Sequence, residues 1–301
     1  MKLSIVLISF LLALGLGLYT SQSQPSSQPS PQPSPQSSPP PSVLHQTYDL
    51  PGAVVHLIKI PQHEQYTLRP MVADGLMTVE EFAQKTSVQP IAVINAGFFD
   101  PVNQQTTSHI RINGQVQADP RKNTRLVDNP DLNRYLPKIL NRSEFRQYQC
   151  GTQVKYAITS HQHPIPKDCK LNYSLGAGPQ LLPQLTLQAE AFTDSVDGQV
   201  IRDAIGSRQP NARSAIGLTQ SGDLLWVMVE QQSLDKPGLS LPELADFLKQ
   251  QGATQALNLD GGGSSALVYQ GKTYPGRPGS AGESAVRPVK SVCVLQEQQT
   301  P

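Results

Sequence analysis

The sequence predicts an α+β fold: a mixed, mostly β-sheet core with a few flanking helices, in a single domain. Two observations carry this. Short apolar runs recur along residues 43–295, separated by turn-forming clusters, in the alternating or continuous patterns that suit strands. Segments with clear helix-capping signals are few and lie near Thr78 and Ser240.

In chain order, Ala53 to Ile60 (Ala-Val-Val-His-Leu-Ile-Lys-Ile) is a β-rich run close to the expected start of the fold at Val43. Thr78-Val79-Glu80-Glu81 has capping-box spacing, so a short helix is expected through Lys85. Ile91 to Ile94 then forms a strand that delivers Asn95 into a polar turn. Ala215 to Leu218 and Leu224 to Val229 flank Thr219-Gln220-Ser221-Gly222-Asp223, a hairpin pattern. Ser240-Leu241-Pro242-Glu243 caps a helix with Leu244, Phe247 and Leu248 on one face, which Gly252 closes. Ala256 to Leu259 is the next strand and ends at Asp260. Helix, strand and polar turn therefore occur twice in the same order. Residues 43–90 read as the N-terminal part of the fold, 91–295 as its main part and 296–301 as a tail. Within them, 121–170 is richer in charge and proline and reads as an insertion or lid.

Ahead of the fold, Lys2 precedes an apolar segment from Leu3 to Tyr19, so residues 1–20 read as an export signal or an uncleaved signal anchor. Every residue from Ser21 to Ser42 is Ser, Pro or Gln, a linker composition with no apolar surface to bury. An exported protein of the cell envelope, periplasmic or extracellular and with a possible membrane tether, is the expected setting. A net charge of +1 over 301 residues gives no basis for nucleic-acid binding. Cys150 and Cys169 stand close enough to close a modest loop, and both a disulfide and two free thiols are open readings. Cys293, in an apolar run, reads as a buried free thiol.

The densest chemistry lies in Leu257-Asn258-Leu259-Asp260-Gly261-Gly262-Gly263-Ser264-Ser265, where a strand runs into a carboxylate, three glycines and two hydroxyls. Backbone N–H groups in such a turn can form an anion cradle. No lysine follows the glycines, which argues against a P-loop. A serine-hydrolase elbow needs a later histidine, yet the last one is His163. Asn95-Ala96-Gly97-Phe98-Phe99-Asp100 reads either as a pocket wall or as core plus turn, and Gly176-Ala177-Gly178-Pro179 as a ligand-facing loop or an ordinary strand start. Arg213 is placed to face a phosphate or carboxylate. Glu230, ending its strand, is a candidate second acid or base. His161-Gln162-His163 lacks companion ligands at metal-site spacing and reads as two exposed histidines.

Taken together, Asn95 to Phe99, Gly176 to Pro179, Arg213 to Gly217, Leu241 to Leu248, Asn258 to Ser265 and Arg287-Pro288-Val289 resemble the phosphodiester glycosidase family in its motif order. The resemblance spans Ile91 to Leu295. It departs at Val229-Glu230-Gln231, where many relatives have Val-Asp-Gly, and leaves 121–170 unplaced. It implies a catalytic-type domain that cleaves a sugar from a phosphodiester, with a glycan phosphodiester as substrate. No cofactor is expected, and a divalent metal is left open. Asp260 and Glu230 are then the expected catalytic residues, with Asp100 as another candidate for the partner carboxylate. Asn95, Arg213, Gly261, Gly262, Gly263 and Ser264 are expected to bind substrate. A non-catalytic envelope module that holds glycan in the same cleft is the competing reading. The site assignment is tested by whether Asn95, Arg213, Glu230 and Asp260 line one pocket; scattered over separate faces, they would remove the assignment even with the fold right.

Overall fold

A computed structural model describes residues 42–63, 65–279 and 286–298. The expected export signal and nearly all of the Ser/Pro/Gln linker lie outside the described residues. Three sheets build the domain. In the first, the order is Leu44–Leu50, Ala53–Ile60, Leu224–Glu230, Arg213–Thr219, Ala253–Asn258 and Gln180–Leu182. The second runs Lys272–Pro275, Ala266–Tyr269, Ala92–Asn95, Val289–Glu297 and Tyr66–Met77. The third runs Gln115–Ala118, Ile110–Ile112, Cys169–Gly176, Ser143–Cys150 and Gln153–Ser160. Strands Thr193–Val196 and Gln199–Asp203 form a separate ribbon.

The mostly-β expectation with few helices fits, but the sheets are not mixed. Every strand pairing among the described residues is antiparallel. The helix Leu241–Gln250 does join two strands that run the same way, Leu224–Glu230 and Ala253–Asn258. Arg213–Thr219 lies between them and pairs antiparallel with both.

Alternation along the strands explains the layering, because successive side chains point to opposite faces. Ile58, Ile216, Trp226 and Leu257 of the first sheet meet Ile94, Leu267 and Cys293 of the second and Phe145, Ile158 and Leu175 of the third. The opposite face of the first sheet, with Val55, Ala215 and Val227, covers Leu244, Phe247 and Leu248 of the helix. On the second sheet, Val93, Val268 and Val294 cover Val79 and Phe82 of the helix Val79–Gln84. Both helices begin with the expected capping boxes, at Thr78 and Ser240, each cap contributing about 1 kcal/mol.

Residues 121–170 hold short helical turns and then two long strands of the third sheet. Phe145 and Ile158 from these strands enter the main core, so this part of the segment is built into the domain. A disulfide joins Cys150 to Cys169 across paired strands, and Cys293 is a buried free thiol.

Candidate active site

The two helix–strand–turn units deliver their polar ends to one point. Beyond Asn258, Leu259 donates its N–H to Ser214 O at 2.8 Å, and Asp260 then crosses to the second sheet, donating to Ala96 O at 2.9 Å. Asn95, fully buried, clamps this crossing. Its Nδ2 donates to Asp260 O at 2.6 Å, while Oδ1 accepts from Ser214 Oγ at 2.6 Å and Ala266 N at 3.1 Å. Pro179 and Gly178 support the strand from its other side, exchanging backbone bonds with Asn258. Gly178 is required there: its φ is 112°, and a Cβ would lie 2.3 Å from Glu190 Oε2.

The Asp260 side chain turns back on its own loop. Oδ1 accepts from Gly261 N at 3.0 Å, and Ser264 hydrogen-bonds the same carboxylate. Burial raises the Asp260 carboxyl from 3.8 to about 6, against the opposing pull of Ser264, the Arg287 charge and Gly261 N–H. The loop turns through Gly262, whose φ of 62° favours glycine and whose N–H is bonded to Ala212 O at 2.8 Å. Two exposed guanidinium groups rim it. A Cβ on Gly262 would sit 3.5 Å from Arg277 Nη2, and one on Gly263 would sit 3.6 Å from Arg287 Cδ. Arg277 is held by Asn211 Oδ1 at 2.6 Å, and Arg287 lies over the Phe99 ring at 5.3 Å.

Asn95, Asp260, Gly261, Gly262, Gly263 and Ser264 are thus brought together. Two expectations about them change. Asn95 acts as the clamp, with its carbonyl oxygen fully engaged by protein donors. The amide cradle is also partly occupied from within, since Gly261 N–H points at Asp260 and Gly262 N–H at Ala212.

Arg213 does not face a phosphate. It lies beneath the loop, 3.7 Å from the position of a Cβ on Gly261, and its guanidinium donates to the carbonyls of Leu239, Ile205, Gly206 and Gln209. Burial lowers it to about 10, partly opposed by Asp203 and reinforced by Arg277. The reason is parity: Arg213 points to the helix-covered face of the first sheet, opposite to Ser214.

Glu230 sits at the same end of the first sheet as Asp260, two strands away, a backbone separation of about 10 Å at about 4.8 Å per strand. Gln231 N bonds Gly276 O, and Gly276 N bonds Ser265 O, which links Glu230 to the loop. Its carboxylate receives His56 Nε2 at 2.6 Å and the Gln232 side-chain amide. Burial raises its pKa, but His56, Gln232 and Lys236 outweigh this and hold it below the ordinary value. His56 Nδ1 lies 3.1 Å from His45 Nε2, and its ring packs 4.4 Å from Tyr274. The four residues expected in one pocket therefore divide. Asn95 and Asp260 are joined, Glu230 borders them, and Arg213 supports them from below.

Asp100 is bound in its own turn by Val102 N and Arg125. His161, expected to be exposed, instead stacks on His109 at 3.6 Å and pairs with the buried Glu144. Among the described residues, no group of three or more His, Cys, Asp or Glu is arranged to hold a metal ion. Sequence reasoning missed His56 and Arg277. A lone histidine inside an apolar strand was a usable signal for the first; Arg277 carried none.

A buried, proton-avid carboxylate at a strand end, set on a glycine turn and rimmed by guanidinium groups, is an arrangement that hydrolytic chemistry can use. The phosphodiester glycosidase profile matches residues 89–296, and the chain belongs to that family of hydrolases. Similarity to curated relatives is local. A stretch of 67 residues, 22% of this chain, is 42% identical to mouse N-acetylglucosamine-1-phosphodiester alpha-N-acetylglucosaminidase and covers 13% of that protein. The human protein of the same name is 40% identical over 67 residues, again 13% of its length. Among solved structures, the catalytic domain of the zebrafish N-acetylglucosamine-1-phosphodiester alpha-N-acetylglucosaminidase shares the fold with a TM-score of 0.62. That match is 18% identical and covers 87% of this chain and 85% of the other. A hypothetical protein from Synechocystis gives a TM-score of 0.57 at 18% identity, covering 85% of this chain and 62% of the other.

Proposed function

We propose that the protein is an exported hydrolase of the cell envelope that cleaves a sugar from a sugar-1-phosphodiester, with Asp260 as its central catalytic residue. The observation that carries this is the Asp260 carboxyl: clamped through its backbone by Asn95, raised to about 6, and set on a glycine loop that Arg277 and Arg287 rim. A base with a pKa near the working pH takes a proton most effectively. In the proposed reaction the bond between the anomeric carbon and the phosphate oxygen breaks, and the phosphate monoester leaves with the electron pair. Water adds to the anomeric carbon and gives its proton to Asp260, whose negative charge also favours the oxocarbenium-like sugar. Arg277 and Arg287 receive the phosphate charge. Glu230, kept ionised by His56, adds negative charge at the same sheet end and stands as the second carboxylate.

The names of the curated relatives make N-acetylglucosamine the first sugar to test. The full chain is incubated with UDP-N-acetylglucosamine or a synthetic sugar-1-phosphodiester, and free sugar is measured. Sugar release that disappears in Asp260→Asn supports the reading. Glycan retention without release, or full turnover by Asp260→Asn, removes it.

A further inference from the structure

Where the three sheets meet, at the opposite end of their strands from Asp260, there is a cavity of about 1000 Å³. The register fixes its place: Leu224 pairs with Ile60 at this end, whereas Glu230 pairs with Val54 at the other. Along Leu224–Glu230, at about 3.3 Å per residue, the two ends stand about 20 Å apart. The cavity is separate from the acid–base centre.

Its walls are amides and phenols. Gln147 and Gln149 come from one strand of the third sheet, Tyr156 and Tyr173 from the strands on either side, and Gln296 from the second sheet. These groups are held in place. Gln147 Nε2 donates to the Tyr156 hydroxyl at 3.2 Å, Phe145 stacks on the Tyr156 ring at 5.4 Å, and Gln296 Nε2 donates to Val88 O at 2.7 Å. The Cys150–Cys169 disulfide pins the two strands next to Gln149. Fixed charges are few: Arg69, Lys155 and Glu297 are among the lining residues. Side-chain amides pair with sugar hydroxyls, and tyrosine rings accept the apolar C–H faces of pyranoses.

We propose that this cavity is a second binding site, for a neutral oligosaccharide segment. Placing that segment on the same polymer whose sugar–phosphate linkage reaches Asp260 rests on the function proposed above; the binding of neutral sugar does not. Two weak contacts on one polymer raise its effective concentration at the catalytic end.

The test is calorimetric titration of the full chain carrying Asp260→Asn with tetra-N-acetylchitotetraose and with maltotetraose. Saturable binding of one of them is expected. It weakens about tenfold or more when Gln149→Ala or Tyr173→Ala is added, while the same substitutions in the Asp260 chain leave turnover of a short sugar-1-phosphodiester and the melting temperature unchanged. Absence of binding to both sugars, or binding indifferent to Gln149→Ala and Tyr173→Ala, overturns the proposal. Turnover without oligosaccharide binding refutes only this site, and oligosaccharide binding without turnover refutes only the catalytic reading.

Discussion

Replacing Asp260 by Asn is expected to abolish turnover and at the same time to stabilise the fold. A carboxyl whose folded pKa is raised holds its proton more tightly when folded, so its ionisation opposes folding and the penalty is present at neutral pH. A rise from 3.8 to about 6 corresponds to about 3 kcal/mol once both states are ionised. The partly exposed edge of the side chain reduces this, leaving about 1–3 kcal/mol. For a domain of this size that is a rise in melting temperature of about 2–8 °C. At about pH 4.5 the folded carboxyl is protonated while the unfolded one is largely ionised, and the full penalty of about 3 kcal/mol falls to about 1 kcal/mol. Thermal unfolding followed by circular dichroism at about pH 7.5 and about pH 4.5 reads both effects. A variant no more stable than the parent near pH 7.5, with a gap that does not narrow on acidification, would refute the buried, proton-avid Asp260.

In the unsubstituted protein, kcat/KM is expected to fall about tenfold per pH unit below about pH 6, because Asp260 must be ionised to take a proton; a flat profile there would exclude it as the base. Arg277→Ala and Arg287→Ala should each lower kcat/KM for a sugar-1-phosphodiester by about 10–100-fold, the effect of losing a charge-assisted bond of about 1.5–3 kcal/mol, with little change in melting temperature. Arg213→Lys should do the reverse, lowering the melting temperature by removing bonds to the 205–209 loop; an unchanged melting temperature with a raised KM would return Arg213 to the substrate. Cys150→Ser should cost about 3 kcal/mol in chemical denaturation, from a closed loop with a sequence separation of 19.

Local signals in the chain were easy to read. Capping boxes at Thr78 and Ser240 involve residues three apart, and apolar runs ending at Asn95 and Asp260 locate the turns. What stayed hidden was set by distant partners. Glu230 finds His56 across 174 positions, and neither residue's local pattern reveals the pairing. Arg213 and Ser214 are adjacent, so only strand parity decides which meets Asn95 and which goes under the helix-covered face. Ser143–Cys150 reads poorly as a strand because Glu144, Arg146 and Gln147 are buried and polar, satisfied by groups such as His161 and Tyr156.

The Asn95 clamp gathers its bonds from Ser214, Asp260 and Ala266, which lie 119, 165 and 171 positions further along the chain. No short fragment of this protein can hold the carboxylate in place. A chain still emerging from the ribosome has the first sheet's early strands and the Asn95 turn long before it has Asp260. The centre comes into being only when the last segments of the domain are laid down, so synthesis itself keeps the proposed hydrolase inert until folding is nearly complete.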